Sequence, residues 1–151
     1  MNAINSVSQE VLKKSGFVFR KGAWYSLSTD FIHVLYFQRS LYSSVYYLEL
    51  AVDFNPEHWV LFPSEYEYPK YYTLGARTRV NDKNEVLNLS VLTPEKKVQI
   101  CSFVKDALRL FSAFTTLDVF KRDYLINRDP TNKYVYNEFY LNGLFLKSLQ
   151  I

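Results

Sequence analysis

Between Phe31 and Phe54 the chain reads FIHVLYFQRSLYSSVYYLELAVDF, two runs of β-branched and aromatic residues around a short serine-containing turn. A strand sends successive side chains to opposite faces, so positions two apart share a face. In the second run Tyr46, Leu48, Leu50, Val52 and Phe54 are all apolar, whereas Val45, Tyr47, Glu49, Ala51 and Asp53 form a mixed set that holds both acids. The first run divides likewise into Phe31, His33, Leu35, Phe37 and Arg39 on one side and Ile32, Val34, Tyr36 and Gln38 on the other. A loop from Leu41 to Ser44 sets Phe37 opposite Leu48 and Leu35 opposite Leu50. The core face is then Leu35, Phe37, Leu48 and Leu50, and the reverse face carries Tyr36, Gln38, Tyr47 and Glu49. A loop one residue longer or shorter would exchange the faces, because a one-residue slip inverts a strand.

The flanking sequence supplies further strands and the cover for this hairpin. Asn5 or Ser6 is expected to cap a short helix that runs to about Lys14, with Val7, Val11 and Leu12 at helical spacing. Gly16 suits a helix end that needs a positive φ. Phe17 and Phe19, then Trp24, Tyr25 and Leu27, read as two strands joined near Gly22. Past the hairpin, Pro56, Pro63 and Pro69 deny residues 55–72 regular structure over much of their length. Two more strands are expected at Ala76 to Val80 and Val86 to Leu92. Thr93, with Pro94 and Glu95 after it, is a well-formed helix start, and that helix is expected to reach about Phe114. Its apolar stripe is Val98, Cys101, Val104, Leu108 and Phe111, flanked by Ile100, Phe103, Ala107, Leu110 and Phe114. Thr116 to Asn127 is expected to continue as a second helix or a bent extension of this one, and a last helix is expected near Tyr134 to Leu149. The expected fold is α+β: an N-terminal helix, a mainly antiparallel sheet of about five to six strands that begins as a meander, and C-terminal helices packed on it. With no linker and no internal repeat, residues 1–151 read as a single domain.

The quoted elements carry a family resemblance. Leu12-Lys13-Lys14, Gly16-Phe17, Phe19, Lys21 and Trp24-Tyr25, followed by Phe37-Gln38-Arg39-Ser40 and Tyr46-Tyr47-Leu48-Glu49-Leu50, form an ordered series. That series resembles the bacterial family catalogued as a domain of unknown function, DUF4304, over roughly residues 11 to 53. Arg77-Thr78-Arg79 echoes an arginine element of the same family. The resemblance implies no established activity. Through the association of such small domains with bacterial toxin and immunity loci, it implies an immunity or regulatory partner.

Composition narrows the function classes. A net charge of +3, scattered along the chain, does not by itself argue for a nucleic-acid or membrane partner. One cysteine, Cys101, excludes an intrachain disulfide and fits a reducing compartment. The N-terminus lacks the apolar core of a signal peptide, and no run approaches membrane-spanning length, so a cytoplasmic protein is expected. No metal-ligand spacing and no glycine-rich phosphate loop stands in the chain, so neither a metal nor a cofactor is expected. His33, inside an apolar strand, reads as a hydrogen-bonded core histidine. Glu49 and Asp53 share one strand face roughly 13 Å apart, too far for a direct acid/base pair. A salt bridge from Glu49 to Arg77 or Arg79 is the favoured reading of those three residues.

Three function classes remain. A non-catalytic protein-binding module would use Tyr36, Gln38, Tyr47, Glu49, Arg77 and Arg79 together with loop aromatics Trp59, Tyr66, Tyr68 and Tyr71, tyrosine having large area, few rotors and a polar tip. The same loop aromatics also read as packing on the sheet edge. An RNA- or single-strand-binding domain would stack bases on the sheet tyrosines between Arg39, Lys70, Arg77 and Arg79, although Glu49 on that face opposes it. A small-molecule enzyme would need a pocket near Glu49 and Arg77. The protein-binding module ranks first.

Overall fold

The computed structural model describes residues 1–55, 59, 75–80, 87–122, 134–135, 139–141, 145 and 147. Its strands are β1 (Val18–Arg20), β2 (Ala23–Leu27), β3 (Phe31–Arg39), β4 (Tyr46–Phe54), β5 (Ala76–Arg79), β6 (Tyr134–Val135) and β7 (Phe139–Leu141). They form one antiparallel sheet in the order β1-β2-β3-β4-β5-β7-β6. Helix α1 (Ala3–Lys14) precedes the sheet; α2 (Pro94–Leu108), a 3-10 segment (Arg109–Ala113) and α3 (Leu117–Phe120) follow β5.

The β3–β4 hairpin has the register its pattern dictates: Phe37 lies opposite Leu48, Leu35 opposite Leu50 and Gln38 opposite Tyr47. Leu35, Phe37, Leu48 and Leu50 are therefore core residues, in one cluster with Ile4 and Leu12 of α1 and Ile100 and Val104 of α2. Both long helices thus cover the same face. Before it, the chain makes a two-residue turn between Arg20 and Ala23, with Lys21 at φ 48° and Gly22 at φ 84°. Positive φ at both central positions matches the twist of the flanking strands, and a glycine takes the second without penalty.

Helix α1 starts earlier than expected. Asn2, not Asn5 or Ser6, is the cap, its Oδ1 accepting the Asn5 N–H at 3.0 Å. Asn5 is inside the first turn and buried, where its Oδ1 accepts the Trp24 Nε1–H at 2.9 Å. That bond ties α1 to β2 and satisfies two polar groups that would be costly to bury alone. At the start of α2, Thr93 Oγ1 accepts the Lys96 N–H at 3.1 Å as the capping pattern requires. The helix stops at Leu108 and tightens into the 3-10 segment, so Phe111 and Phe114 reach the core from irregular backbone. Gln99, Ser102, Lys105, Asp106, Arg109 and Ser112 are exposed as expected. Val98, assigned to the buried stripe, is 69 % exposed, because at the first turns of α2 the buried side passes through Ile100 and Val104.

Two expected elements differ. Of the strand placed at Val86 to Leu92, residues 87–92 form turns and a single bridge between Asn88 and Val45, while Val86 lies outside the described residues. The helix placed near Tyr134 to Leu149 is replaced over its first part by β6 and β7, with helical backbone only at Phe145 and Lys147 among the described residues. Phe139 and Leu141 point into the core and Tyr140 away from it, a period of two. The β5 edge decides this, pairing Ala76 with Leu141 and Arg77 with Tyr140. Of the helix expected at Thr116 to Asn127, α3 forms with Thr116 Oγ1 accepting the Val119 N–H, and residues 123–127 lie outside the described residues.

Candidate functional site

The reverse face of the sheet divides into two halves. At one end Ala23, Tyr25, Ile32, Val34 and Ala51 are buried in a small apolar cluster of their own, with Val18, Leu27 and Tyr36 packed at its margin. Toward the β3–β4 turn the face becomes polar and half-exposed, with Tyr36, Gln38 and Tyr47 intermediate and Arg77 and Arg79 exposed. Strand register assembles this half, since Glu49 lies opposite Tyr36 on one side and Arg79 on the other. Directly opposed residues share a face and bring their Cβ atoms to roughly 5 Å, within reach of long side chains.

Arg79 is the hub. Its Nε donates to Glu49 Oε1 at 2.6 Å and its Nη2 to Gln38 Oε1 at 3.3 Å. The guanidinium carbon stands 4.3 Å from the centroid of the Tyr47 ring, in cation–π geometry. Glu49 retains 11 % side-chain exposure against 37 % for Arg79, so the carboxylate is sheltered and the cation faces solvent. The expected salt bridge forms, and the register selects Arg79 over Arg77. Arg77 belongs to the next row, between Ala51 and Tyr140. Tyr140 extends the aromatic polar surface and escaped sequence reasoning, since its segment was read as helix; the alternation Phe139-Tyr140-Leu141 is the signal that would have placed it. Asp53 is opposite Ile32, two rows from Glu49. Burial pushes its carboxyl above the usual range, against the opposing pull of the Phe54 and Gly75 N–H groups.

Other singled-out residues fall elsewhere. Trp59 is held by Asn55, whose Nδ2 donates to the Trp59 carbonyl at 2.9 Å while Oδ1 accepts the Trp59 N–H at 3.2 Å. Tyr66, Tyr68 and Tyr71 lie outside the described residues. His33 is a core histidine on the opposite face. Its Nε2 stands 2.6 Å from the Phe114 carbonyl oxygen and so must carry the proton, leaving Nδ1 to accept from Ser26 Oγ at 3.3 Å. The ring stacks on Phe111 at 4.7 Å, and burial draws its pKa down to about 4 despite the Phe114 bond. Both nitrogens are engaged, which removes His33 as a general base. Cys101 donates its thiol to the Val7 carbonyl at 3.2 Å, and burial, with Glu10 nearby, pushes its pKa up, the opposite of a reactive thiol.

A family model described as a domain of unknown function (DUF4304) matches residues 8–110, more than half of the chain. The chain belongs to this family. The matched span of DUF4304 takes in the second half of α1, strands β1 to β5 and the whole of α2, so the Arg79 cluster lies within it. Strands β6 and β7 lie beyond the matched span, and with them Tyr140. No curated protein and no solved structure matches the chain. Among the described residues no group of three or more metal-ligating side chains converges, and no helix is long and apolar enough to cross a membrane.

Proposed function

We propose that this DUF4304 protein is a non-catalytic, cytoplasmic protein-binding module of regulatory or immunity type, formed as a single domain over residues 1–151, that meets its partner with the polar half of the reverse sheet face. The observation that carries this reading is the fixed position of Arg79, bonded to Glu49 and Gln38 and stacked on Tyr47. Tyrosine and arginine on a rigid strand surface lose little conformational freedom when a partner docks, and these two residue types are enriched among energetic anchors of interfaces. The stacked guanidinium occupies one face of Tyr47, and Glu49 sets a carboxylate beside it, which counts against base stacking and ranks nucleic acid second.

The test is affinity capture from the native host with wild type, Tyr47→Ala and Arg79→Ala, with and without nuclease. One protein retained stoichiometrically by the wild type, lost from both folded variants and indifferent to nuclease is the expected result. Retention abolished by nuclease would replace this reading with nucleic-acid binding. Equal retention by all three proteins would remove the reverse face from the site.

A further inference from the structure

Strand β1 is an outer strand of the sheet, paired with β2 alone among the described strands. Its sequence makes that edge a hazard: Phe17-Val18-Phe19 is a short run of β-prone apolar residues, and Val18 and Phe19 remain half-exposed. The turn at Lys21 and Gly22 settles which backbone groups the edge presents. A two-residue turn makes Arg20 and Ala23 a hydrogen-bonded pair; Val18 and Tyr25 are then the next such pair, and Phe19 and Trp24 fall between them. The N–H and C=O of Phe19 therefore point away from β2, toward whatever would extend the sheet. A second copy of the chain, adding its own β1 antiparallel across a two-fold axis, would set Phe19 against Phe19 and exchange both bonds.

The outward carbonyl already has a donor. Arg20 leaves the strand on the face of Ala23, and its long side chain brings the guanidinium round to the edge, where Nη1 donates to the Phe19 carbonyl oxygen at 2.8 Å. Strand β1 is three residues long, and Phe19 is the residue within it that faces outward, so one side chain is enough to obstruct it. Charge acts in the same direction. Lys13 and Lys14 stand just before β1, Arg20 and Lys21 at its end, and all four are exposed. Against them residues 1–29 hold only Glu10, bonded to Lys14 at 3.0 Å, so this stretch alone carries a charge equal to the net +3 of the chain. Two copies meeting at this edge would bring like charge together.

We infer that Arg20 closes the β1 edge and keeps the sheet from running on into a second copy of this chain. Short outer strands bearing Lys or Arg are a common protection against edge-to-edge pairing, and here the register names the atom that is protected. The inference stands apart from the binding reading, since Arg79 is on β5, four strands away.

The experiment is sedimentation velocity at rising protein concentration for wild type, Arg20→Ala and Lys13→Ala, with amide exchange at Phe19 followed by NMR. Both substituted side chains are exposed, so the variants keep their melting temperature. Lys13→Ala removes the same charge without touching the Phe19 carbonyl. The expected result is that wild type and Lys13→Ala stay monomeric. Arg20→Ala sediments faster as concentration rises, and its Phe19 amide exchanges several-fold more slowly at the highest concentration than at the lowest. An Arg20→Ala protein that stays monomeric overturns the inference, as does association that leaves Phe19 exchange unchanged. Equal association by Lys13→Ala would assign the effect to net charge and remove the role of the Arg20 hydrogen bond. Wild-type association that protects the Phe19 amide would show the edge to be open.

Discussion

The two faces of the β3–β4 hairpin share one backbone and differ in almost everything else. On the core face Leu35, Leu48 and Leu50 have no exposed surface and meet both long helices. On the reverse face the same strands carry a buried apolar end and a half-exposed polar end organised by Arg79. On the core face His33 is buried and held by Ser26 and Phe114, whereas Arg79, Glu49 and Gln38 of the reverse face form a shared cluster whose cation faces water. The difference teaches where each face is sensitive: truncation on the core face costs much stability, and truncation at the polar end costs little of it.

The strongest way to break this comparison is Phe31→Ala. Phe31 is fully buried and its ring contacts Phe54, Phe114 and Phe120 at centroid distances of 5.6–5.8 Å. Its loss is expected to cost about 3–5 kcal/mol in urea unfolding. An equal loss from Tyr47→Ala would show that the polar end is structural core after all.

Acid titration separates the faces next. Unfolded, His33 takes up a proton near pH 6.5; folded, it resists until about pH 4. Stability is therefore fully present above pH 6.5 and declines as pH falls, by about 3 kcal/mol once both states are protonated. Melting curves of wild type and His33→Gln between pH 7 and pH 4 should diverge by most of that amount. Parallel curves would show that the burial of His33 does not govern the acid limb.

Gly75→Ala comes third. A Cβ there would stand 2.5 Å from Phe145 Cδ2, so the ring at the start of β5 must move. About 1–3 kcal/mol of lost stability is expected in thermal or urea unfolding. The smallest effect sharpens the contrast most: Arg79→Ala should cost only about 1 kcal/mol or less, because the guanidinium is more than a third exposed and its charge is screened. A double-mutant cycle with Glu49→Gln measures the coupling, and a value of several kcal/mol would make the pair a structural clamp.

The sequence by itself determined the hairpin, its register, both of its faces and the start of α2. Alternation with a period of two, a four-residue turn and a Thr-Pro-Glu start are local signals, and a slip of the hairpin would have put Glu49 and Gln38 into the core. The salt bridge was half legible: Glu49 had two candidate arginines, and only the β4–β5 register, which opposes Glu49 to Arg79, chose between them. Tertiary structure settled that residues 134–135 and 139–141 are strands. The alternation Phe139-Tyr140-Leu141 is a strand signal only three residues long, and the β5 edge, more than fifty residues away in sequence, supplied the hydrogen-bond partners that settled it. It also decided that Asn5 serves Trp24 instead of the helix end, and that Leu41 and Tyr42 project into water while the tyrosine at position 25 is buried. Local pattern fixes which face a side chain takes; what lies against that face depends on chain that is distant in sequence.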